Sequence, residues 1–171
     1  MLVIFRGLPG TGKSHLVRRI VAQRPTLLVL SRDTLRAALI AHPTFGEEEK
    51  SLVDDMIVSM AGFLMGRGRD VVIDGMALSS AARVAAFWDA AATRGVPARI
   101  IECVCREQTA LERIGRDTGG HPAGDRGEGL YRAVKARYQT IQYPSLVVDT
   151  EKDTQASVRA ILSYIQGGSP S

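Results

Sequence analysis

The sequence predicts a single-domain α/β fold, with a five-stranded parallel sheet that carries helices on both faces. Short apolar runs alternate along the chain with longer stretches whose apolar residues recur at helical spacing. A glycine-rich stretch joins the first apolar run to the first helical one. The length of 171 residues suits one domain, and the chain shows no internal repeat or linker. We therefore expect one domain over residues 1–166 and a disordered tail at 167–171.

The first predicted strand, Leu2 to Phe5, leads into the spacing G-x-x-x-x-G-K-S/T of a phosphate-binding P-loop. Glycines let backbone N–H groups wrap a polyphosphate closely, and the N-terminus of the next helix adds donors and positive charge. Lys13 can reach the β- and γ-phosphates, and Ser14 can offer its hydroxyl to Mg²⁺. The sequence therefore predicts binding of ATP, or another nucleoside triphosphate, with Mg²⁺. The predicted nucleotide-binding residues here are Gly7, Pro9, Gly10, Thr11, Gly12, Lys13 and Ser14.

The second strand is predicted at Thr26 to Leu30, and Ser31 after it is suited to cap a helix. That helix places Asp33 and Arg36 one turn apart, on the same face. A longer helix is predicted from Glu47 to Met65, with an acidic first turn that matches the helix dipole. Its predicted buried stripe consists of Leu52, Val53, Met56, Ile57, Met60, Phe63 and Leu64.

The third strand is predicted at Asp70 to Asp74, and Ser79 or Ser80 then caps a helix. The fourth strand, Ala98 to Val104, precedes a helix that begins near Glu107. The fifth strand is predicted at 145–149, with a helix on either side of it in the sequence. Strands that alternate with helices in this way are typical of a parallel sheet.

Residues 113–129 are rich in glycine, arginine and aspartate and carry few apolar side chains. We interpret this segment as a short lid over a site, and a plain surface loop is the alternative. Arg113, Arg116 and Arg126 flank or lie within it. An arginine that arrives as a lid closes can offset charge on a transferring phosphoryl group. The spacing does not decide which of the three arginines does so.

The two cysteines, Cys103 and Cys105, alternate in the fourth apolar run. We expect both on one buried face, as core thiols of a cytoplasmic protein, and a metal or redox pair is the alternative. No apolar stretch approaches the length that crosses a membrane, and the chain starts in a strand rather than a signal peptide.

The formal net charge of +4 favours anionic ligands, of which nucleic acid is one. A scattered basic surface is the alternative interpretation. Aromatic residues make up 5% of the chain, which is a low fraction for a protein that stacks many bases. Composition therefore leaves the class of ligand open between nucleic acid and smaller anions.

Ligands of parallel α/β folds bind at the carboxyl ends of the strands. Gly7, Asp33 and Asp74 each follow such an end, so the P-loop and two carboxylates are expected at one edge of the sheet. Asp74 ends an apolar strand, where P-loop proteins hold a carboxylate linked to Mg²⁺. We assign it to the metal and acceptor sites, and a carboxylate that only caps the strand end is the alternative. Gly75 follows it instead of the glutamate that AAA-type ATPases use to activate water.

Transfer of a phosphoryl group to an alcohol needs a group that takes the proton of the hydroxyl. Asp33 is the candidate for this catalytic role, and a helix first-turn aspartate that only binds backbone donors is the alternative. Arg36 shares its face and is predicted to bind an anionic group of the acceptor, with an ordinary surface ion pair as the alternative.

Residues 31–36 resemble the S-x-D-x-x-R element of the polynucleotide 5′-hydroxyl kinases. The P-loop, the strand-three aspartate and the arginine-bearing lid extend this resemblance over nearly the whole chain. It implies that Asp33 is the general base and that Arg36 holds the phosphate next to the acceptor hydroxyl. It also implies that a lid arginine, Arg116 before Arg113, contacts the ATP phosphates.

The chain departs from that family after strand three. Bacterial members often read Asp-Ala-Thr-Asn there, and this chain reads Asp-Gly-Met-Ala at 74–77. The scaffold is also similar to those of chloramphenicol phosphotransferase and gluconate kinase. We therefore expect a kinase of polynucleotide 5′-hydroxyl ends, with a kinase of a small hydroxylated metabolite or antibiotic as the alternative. A nucleotide-dependent binding or switch module and a nucleotide-sugar kinase of the zeta-toxin type are the further alternatives.

Overall fold

The computed structural model of the protein describes residues 1–116 and 127–167. These residues form seven helices and one five-stranded sheet. No helix among them is both long enough and apolar enough to cross a membrane. The strands are β1 Leu2–Arg6, β2 Leu28–Ser31, β3 Val71–Asp74, β4 Ala98–Val104 and β5 Ser145–Asp149. The helices are α1 Lys13–Gln23, α2 Arg32–Leu39, α3 Glu47–Gly66, α4 Ala81–Ala92, α5 Glu107–Arg116, α6 Glu128–Ala136 and α7 Thr154–Ile165.

All the strand pairs are parallel, and the strand order is β2-β3-β1-β4-β5. Ile4 of the central strand β1 pairs with Ile73 on one side and with Ile100 on the other. The predicted α/β fold with a five-stranded parallel sheet is therefore confirmed. This order also makes the carboxyl ends of β2, β3 and β1 neighbours at one edge of the sheet.

Helices cover both faces of the sheet, because alternate strand side chains point to opposite sides. On one face, Ile4 packs in a core cluster with Ile57 of α3 and Phe87 of α4. On the other face, Phe5 packs in a second cluster with Ile161 of α7. All five side chains are fully buried, so each face contributes a separate hydrophobic layer.

The predicted buried stripe of α3 is wrong at three positions. Leu52, Met60 and Phe63 are 57%, 37% and 60% exposed. The helix carries apolar residues on more than one side, and only one side can pack against the sheet and α4. The buried apolar residues recur every four positions: Val53, Ile57, Ala61 and Met65.

Strand β2 begins two residues later than the apolar run predicts. The amide of Leu27 donates to the carbonyl of Arg24 at 3.1 Å, so the chain is still turning there. The predicted cap at Ser31 is confirmed, since its hydroxyl accepts from the amide of Thr34 at 3.5 Å. The turn from β2 into α2 is therefore fixed by a local side-chain contact.

The two cysteines lie in different environments, contrary to the prediction that they share one buried strand face. Strand β4 ends at Val104, so Cys103 is inside it and Cys105 lies beyond it. Cys103 is in the core on the α1 and α7 face, and burial raises its pKa to about 12. Cys105 packs beside Ala110 in a small separate cluster. The Cys103 thiol is therefore an unreactive core group.

The predicted lid at 113–129 overlaps two helices, because α5 ends at Arg116 and α6 begins at Glu128. Its middle part, 117–126, lies outside the described residues, and Arg126 lies outside them too. The same holds for most of the predicted tail, residues 168–171. The prediction that this segment acts as a lid stays a prediction.

Candidate active site

The P-loop connects β1 to α1 in a conformation that requires glycine. Gly7, Gly10 and Gly12 have φ angles of 145°, 77° and 81°. A Cβ on Gly7 would lie 2.4 Å from the carbonyl oxygen of Cys103, and one on Gly10 would lie 2.4 Å from that of Ala110. The backbones of β4 and α5 therefore press directly against the loop, and a side chain at either glycine would displace them.

Lys13 is the first residue of α1, and its side chain is folded over the P-loop. Its ammonium donates to the carbonyls of Gly7 at 2.8 Å and of Leu8 at 2.9 Å, and the residue is 8% exposed. Thr11 donates its hydroxyl to the same Leu8 carbonyl at 2.8 Å. The N-cap residue of α1 is Gly12, which has no side chain to occupy the first-turn amides. A helix N-terminus and a lysine charge therefore meet at the loop.

Ser14 and Asp74 bring two oxygen ligands together at the carboxyl edge of the sheet. The Ser14 hydroxyl donates to Oδ1 of Asp74 at 3.0 Å, and Asp74 is 7% exposed. Mg²⁺ prefers oxygen ligands, and it is usually held by one or two carboxylates together with waters and substrate phosphates. This pair fits that requirement. Within 1–116 and 127–167, no group of three or more His, Cys, Asp or Glu side chains could hold a metal ion by itself.

Asp33 and Arg36 are buried beside each other on α2, at 7% and 3% exposure. Nη1 of Arg36 lies 3.4 Å from Oδ1 of Asp33, and its Nε lies 2.8 Å from a carboxylate oxygen of Glu49 on α3. The Arg36 guanidinium also lies 5.2 Å from the ring centre of Phe45. Nη2 of Arg36 has no hydrogen-bond partner in the described part of the chain. Two carboxylates and a ring therefore surround this arginine, whose Nε contacts Glu49 as an ion pair without hydrogen-bond geometry and whose Nη2 makes no hydrogen bond with the described residues.

Glu49 links this arginine to the chain that precedes α3. Its second carboxylate oxygen accepts from the amide and hydroxyl of Thr44, at 2.6 and 3.0 Å, and from the amide of Phe45 at 3.2 Å. Desolvation opposes the charge of Glu49, but these hydrogen bonds and Arg36 together lower its pKa below the ordinary value. Glu49 is therefore ionised at neutral pH and is a fixed partner of Arg36.

The structure adds a carboxylate that the sequence analysis missed, Asp54 of α3. Its Oδ1 lies 3.6 Å from Nη1 of Arg32, and its Oδ2 lies 3.7 Å from Nε of Arg83. Burial raises the pKa of Asp54, and the two arginines oppose this rise. The available signal was its position directly after Val53 and three residues before Ile57, on the side of the helix that faces the core.

Arg113 contacts the P-loop, and Arg116 does not. The guanidinium of Arg113 donates to the hydroxyl and carbonyl of Thr150, at 2.9 and 3.0 Å, and to the carbonyl of Gly10 at 3.4 Å. The side chain of Arg116 is 80% exposed and lies 3.7 Å from the carboxylate of Glu112. Arg113 therefore lies against the P-loop, and contact of either arginine with a nucleotide stays a prediction.

Gly75 brings the end of β3 close to the start of α2. It has a φ of 73°, and a Cβ there would lie 2.9 Å from the Ser31 hydroxyl and 3.2 Å from the amide nitrogen of Asp33. In the sequence, Gly75 marks only the absence of a glutamate after Asp74. In the structure, the absence of a side chain at Gly75 also lets the turn after Asp74 approach the turn that carries Asp33.

These groups line one cleft of about 1200 Å³ at the carboxyl edge of the sheet. The P-loop, α1, α5 and α6 contribute residues to its lining, and so do α2, α3 and α4. Arg116 is not among the residues that line it. The predicted site residues in the cleft include Lys13, Ser14, Asp33, Arg36, Asp74 and Arg113.

Several solved structures share this fold across almost their full length. A candidate kinase from Chloroflexus aurantiacus is 20% identical at a TM-score of 0.75, covering 98% of this chain and 97% of that one. The Mycobacterium tuberculosis APS kinase CysC, solved with AMPPNP and APS, is 21% identical at a TM-score of 0.69, covering 97% of each chain. A sugar kinase from Janibacter sp. is 12% identical at a TM-score of 0.73, covering 96% of this chain and 94% of that one. At these identities the likeness shows a P-loop kinase-like fold.

A search of curated proteins found no match to this chain. A family profile with the description AAA domain matches residues 2–123, which is more than half of the 171 residues. The matched range contains the P-loop, the turn with Asp33 and Arg36, and the end of β3. On this match, the chain belongs to the AAA domain family, and its fold within that family is P-loop kinase-like.

Proposed function

We propose that the protein is an ATP-dependent phosphotransferase that moves the γ-phosphate to a hydroxyl group of an acceptor. One observation carries the proposal. The cleft of about 1200 Å³ is lined by Lys13, Ser14 and Asp74 on the nucleotide side and by Asp33 and Arg36 on the other. A phosphate-binding loop and a buried carboxylate that face the same space are what transfer to an alcohol requires.

On the nucleotide side, the P-loop amides and the Lys13 ammonium bind the β- and γ-phosphates. Ser14 and Asp74 are the residues that would hold Mg²⁺, which supplies neutralisation of phosphate charge when it is bound. Arg113 lies against Gly10 and brings a further cation to the same loop. These groups position the donor phosphate and balance its charge before transfer.

On the other side, Asp33 is the group that takes the proton from the acceptor hydroxyl as its oxygen attacks phosphorus. Such general-base assistance contributes about 10²–10⁴ in rate. Arg36 is held by Glu49 and Asp33, and its Nη2 binds an anionic group of the acceptor. The acceptor is thereby oriented with its hydroxyl towards the nucleotide.

Charge pairing favours a small acceptor over a polynucleotide. Binding of a polynucleotide relies on cations that replace the counterions of many phosphates. On the side of the cleft formed by α2, α3 and α4, here called the acceptor side, the basic side chains already lie within 4 Å of carboxylates. These are Arg32 with Asp54, Arg36 with Glu49, Lys50 with Glu47, and Arg83 with Asp54 and Asp55. We therefore propose a small hydroxylated acceptor.

The 5′-hydroxyl of a polynucleotide is the second candidate acceptor. It is supported by the resemblance of residues 31–36 to the polynucleotide kinases and by the net charge of +4. The named functions of two structural neighbours, an APS kinase and a sugar kinase, support a small acceptor instead. The two candidates differ in how transfer depends on salt, because only a polyanion releases many counterions.

The test is transfer of label from γ-labelled ATP with Mg²⁺. The acceptors are a 5′-hydroxyl oligonucleotide, ribose 5-phosphate, gluconate and chloramphenicol. We expect label on a small acceptor with wild-type protein and its loss with Lys13→Ala, while the exposed control Lys152→Ala keeps transfer. Label on the oligonucleotide that falls steeply with salt would support the second candidate. Label released only as inorganic phosphate would contradict the proposal and favour a nucleotide-dependent switch.

A further inference from the structure

The acceptor side contains buried polar atoms that make no hydrogen bond with the described residues. They include Oδ1 of Asp54, Nη2 of Arg36 and Nε of Arg32, besides Nε of Arg36 and Oε1 of Glu49, which form an ion pair with each other. Asp54 and Arg36 are 9% and 3% exposed, and both line the cleft together with Arg32. An unmade hydrogen bond at a buried polar atom is costly, so such atoms are rare and call for an explanation.

A purely structural ion pair does not explain Asp54. Its contacts with Arg32 and Arg83 are 3.6 and 3.7 Å long, beyond the range of good N–H···O hydrogen bonds. Arg83 makes its short contact with another residue, at 2.6 Å between Nη1 and Oδ1 of Asp55. Asp54 is therefore held near two guanidinium groups, while at least one carboxylate oxygen is left for another donor.

We propose that Asp54 is a binding residue for the acceptor and that its carboxylate accepts hydrogen bonds from hydroxyl or amine groups of that molecule. The proposal rests on the proposed function, because it assigns a second contact point to the same acceptor. Arg36 binds the anionic group of the acceptor, and Asp33 faces the hydroxyl that receives phosphate. The acceptor is thus a small molecule with an anionic group and several hydrogen-bond donors.

This chemistry separates a small polyol anion from a polynucleotide. A buried carboxylate on the acceptor side repels a chain of phosphates, and it also reduces the net charge of the neighbouring arginines. A polyol anion places one negative group at Arg36 and offers hydroxyl groups elsewhere. Asp54 and Arg36 together therefore select for a molecule that carries both kinds of group.

The test compares Asp54→Asn with Asp89→Asn, a control on an exposed residue of α4 that does not line the cleft. Binding of ribose 5-phosphate, gluconate and sulfate is measured by calorimetry on protein loaded with Mg²⁺ and AMPPNP. We expect Asp54→Asn to weaken both polyol anions about tenfold, as for loss of a hydrogen bond to a charged group. Sulfate binding is expected to stay equal or tighten, because the arginines gain net positive charge.

The opposite results overturn the inference. Equal loss of polyol anions and sulfate in Asp54→Asn would show a structural role, and unchanged polyol binding would show no role. Absence of binding by either polyol anion to the wild type would also overturn it. If Asp54→Asn does not fold, Asp54→Glu keeps the charge and moves the oxygens, and wild-type polyol affinity in that variant would overturn the inference.

Failure of this inference is distinguishable from failure of the proposed function. If Asp54→Asn transfers label to the oligonucleotide at the wild-type rate, Asp54 is not an acceptor-binding residue, and the proposed phosphotransfer still stands. No label on any acceptor with wild-type protein, together with intact binding of polyol anions, would instead contradict phosphotransfer alone.

Discussion

At the scale of single residues, the first prediction concerns the carboxylate on α2. Asp33→Asn keeps the shape of the side chain and removes its ability to take a proton. We expect the rate of transfer to fall by about 10²–10⁴, with nucleotide affinity unchanged, because the P-loop contacts are not altered. Single-turnover transfer and binding of AMPPNP measure the two quantities. The control is Asp89→Asn, an exposed residue of α4 that does not line the cleft, and a wild-type rate in Asp33→Asn would contradict the base assignment.

The two described arginines near the end of α5 provide a second prediction at the same scale. Arg113→Ala removes a cation that contacts Gly10 of the P-loop, so we expect nucleotide affinity to fall roughly tenfold or more. Arg116→Ala removes an exposed side chain, and we expect affinity within about twofold of wild type. Calorimetry with AMPPNP measures both. A larger loss in Arg116→Ala would support the assignment implied by the family resemblance instead.

At the scale of elements, Gly75 determines how closely β3 approaches α2. Gly75→Ala places a methyl group 2.9 Å from the Ser31 hydroxyl and moves the turn that carries Asp33. The matched control is Gly68→Ala, which has a similar φ of 71° and no neighbouring atom within 4 Å. Both variants are expected to lose roughly 1–2 kcal/mol of stability from the left-handed backbone.

Only Gly75→Ala is expected to lose transfer, by as much as about 10²-fold, because small displacements of reacting groups are costly. Thermal unfolding and the transfer assay separate the two effects. Equal transfer rates in the two glycine variants would mean that the approach of β3 to α2 does not position Asp33.

The sequence predicted most elements from local information. The bounds of β4 and β5 agree with the prediction, and the cap at Ser31 is confirmed. The buried side of α3 was predicted wrongly at positions such as Phe63, because apolar residues occur on more than one side of that helix. Periodicity alone cannot select between two apolar sides, since the choice depends on which one meets the sheet and α4.

At the scale of the whole molecule, α3 supplies a test of how the core is built. Ile57 is fully buried between the sheet and α4, whereas Phe63 is 60% exposed. We expect Ile57→Ala to lower the free energy of unfolding by about 2–5 kcal/mol and Phe63→Ala to change it by about 0.5 kcal/mol or less. Urea denaturation of both variants measures this difference. A larger loss in Phe63→Ala would mean that the exposed side of α3 is buried in solution.

The sequence by itself determined the features that depend on neighbouring residues. These are the P-loop between a strand and a helix, the five alternating strands, and the placement of Asp33 and Arg36 on one helix face. Backbone conformation and side-chain spacing over a few residues are sufficient for each of these.

Only the tertiary structure decided which distant residues complete the cleft. Asp54 lies beside Arg83 of another helix, and Arg113 donates to Thr150 on the turn after β5. Such contacts arise when elements pack, because packing brings together side chains that are far apart in the sequence. The spacing of residues along the chain therefore does not predict which of these distant side chains come into contact.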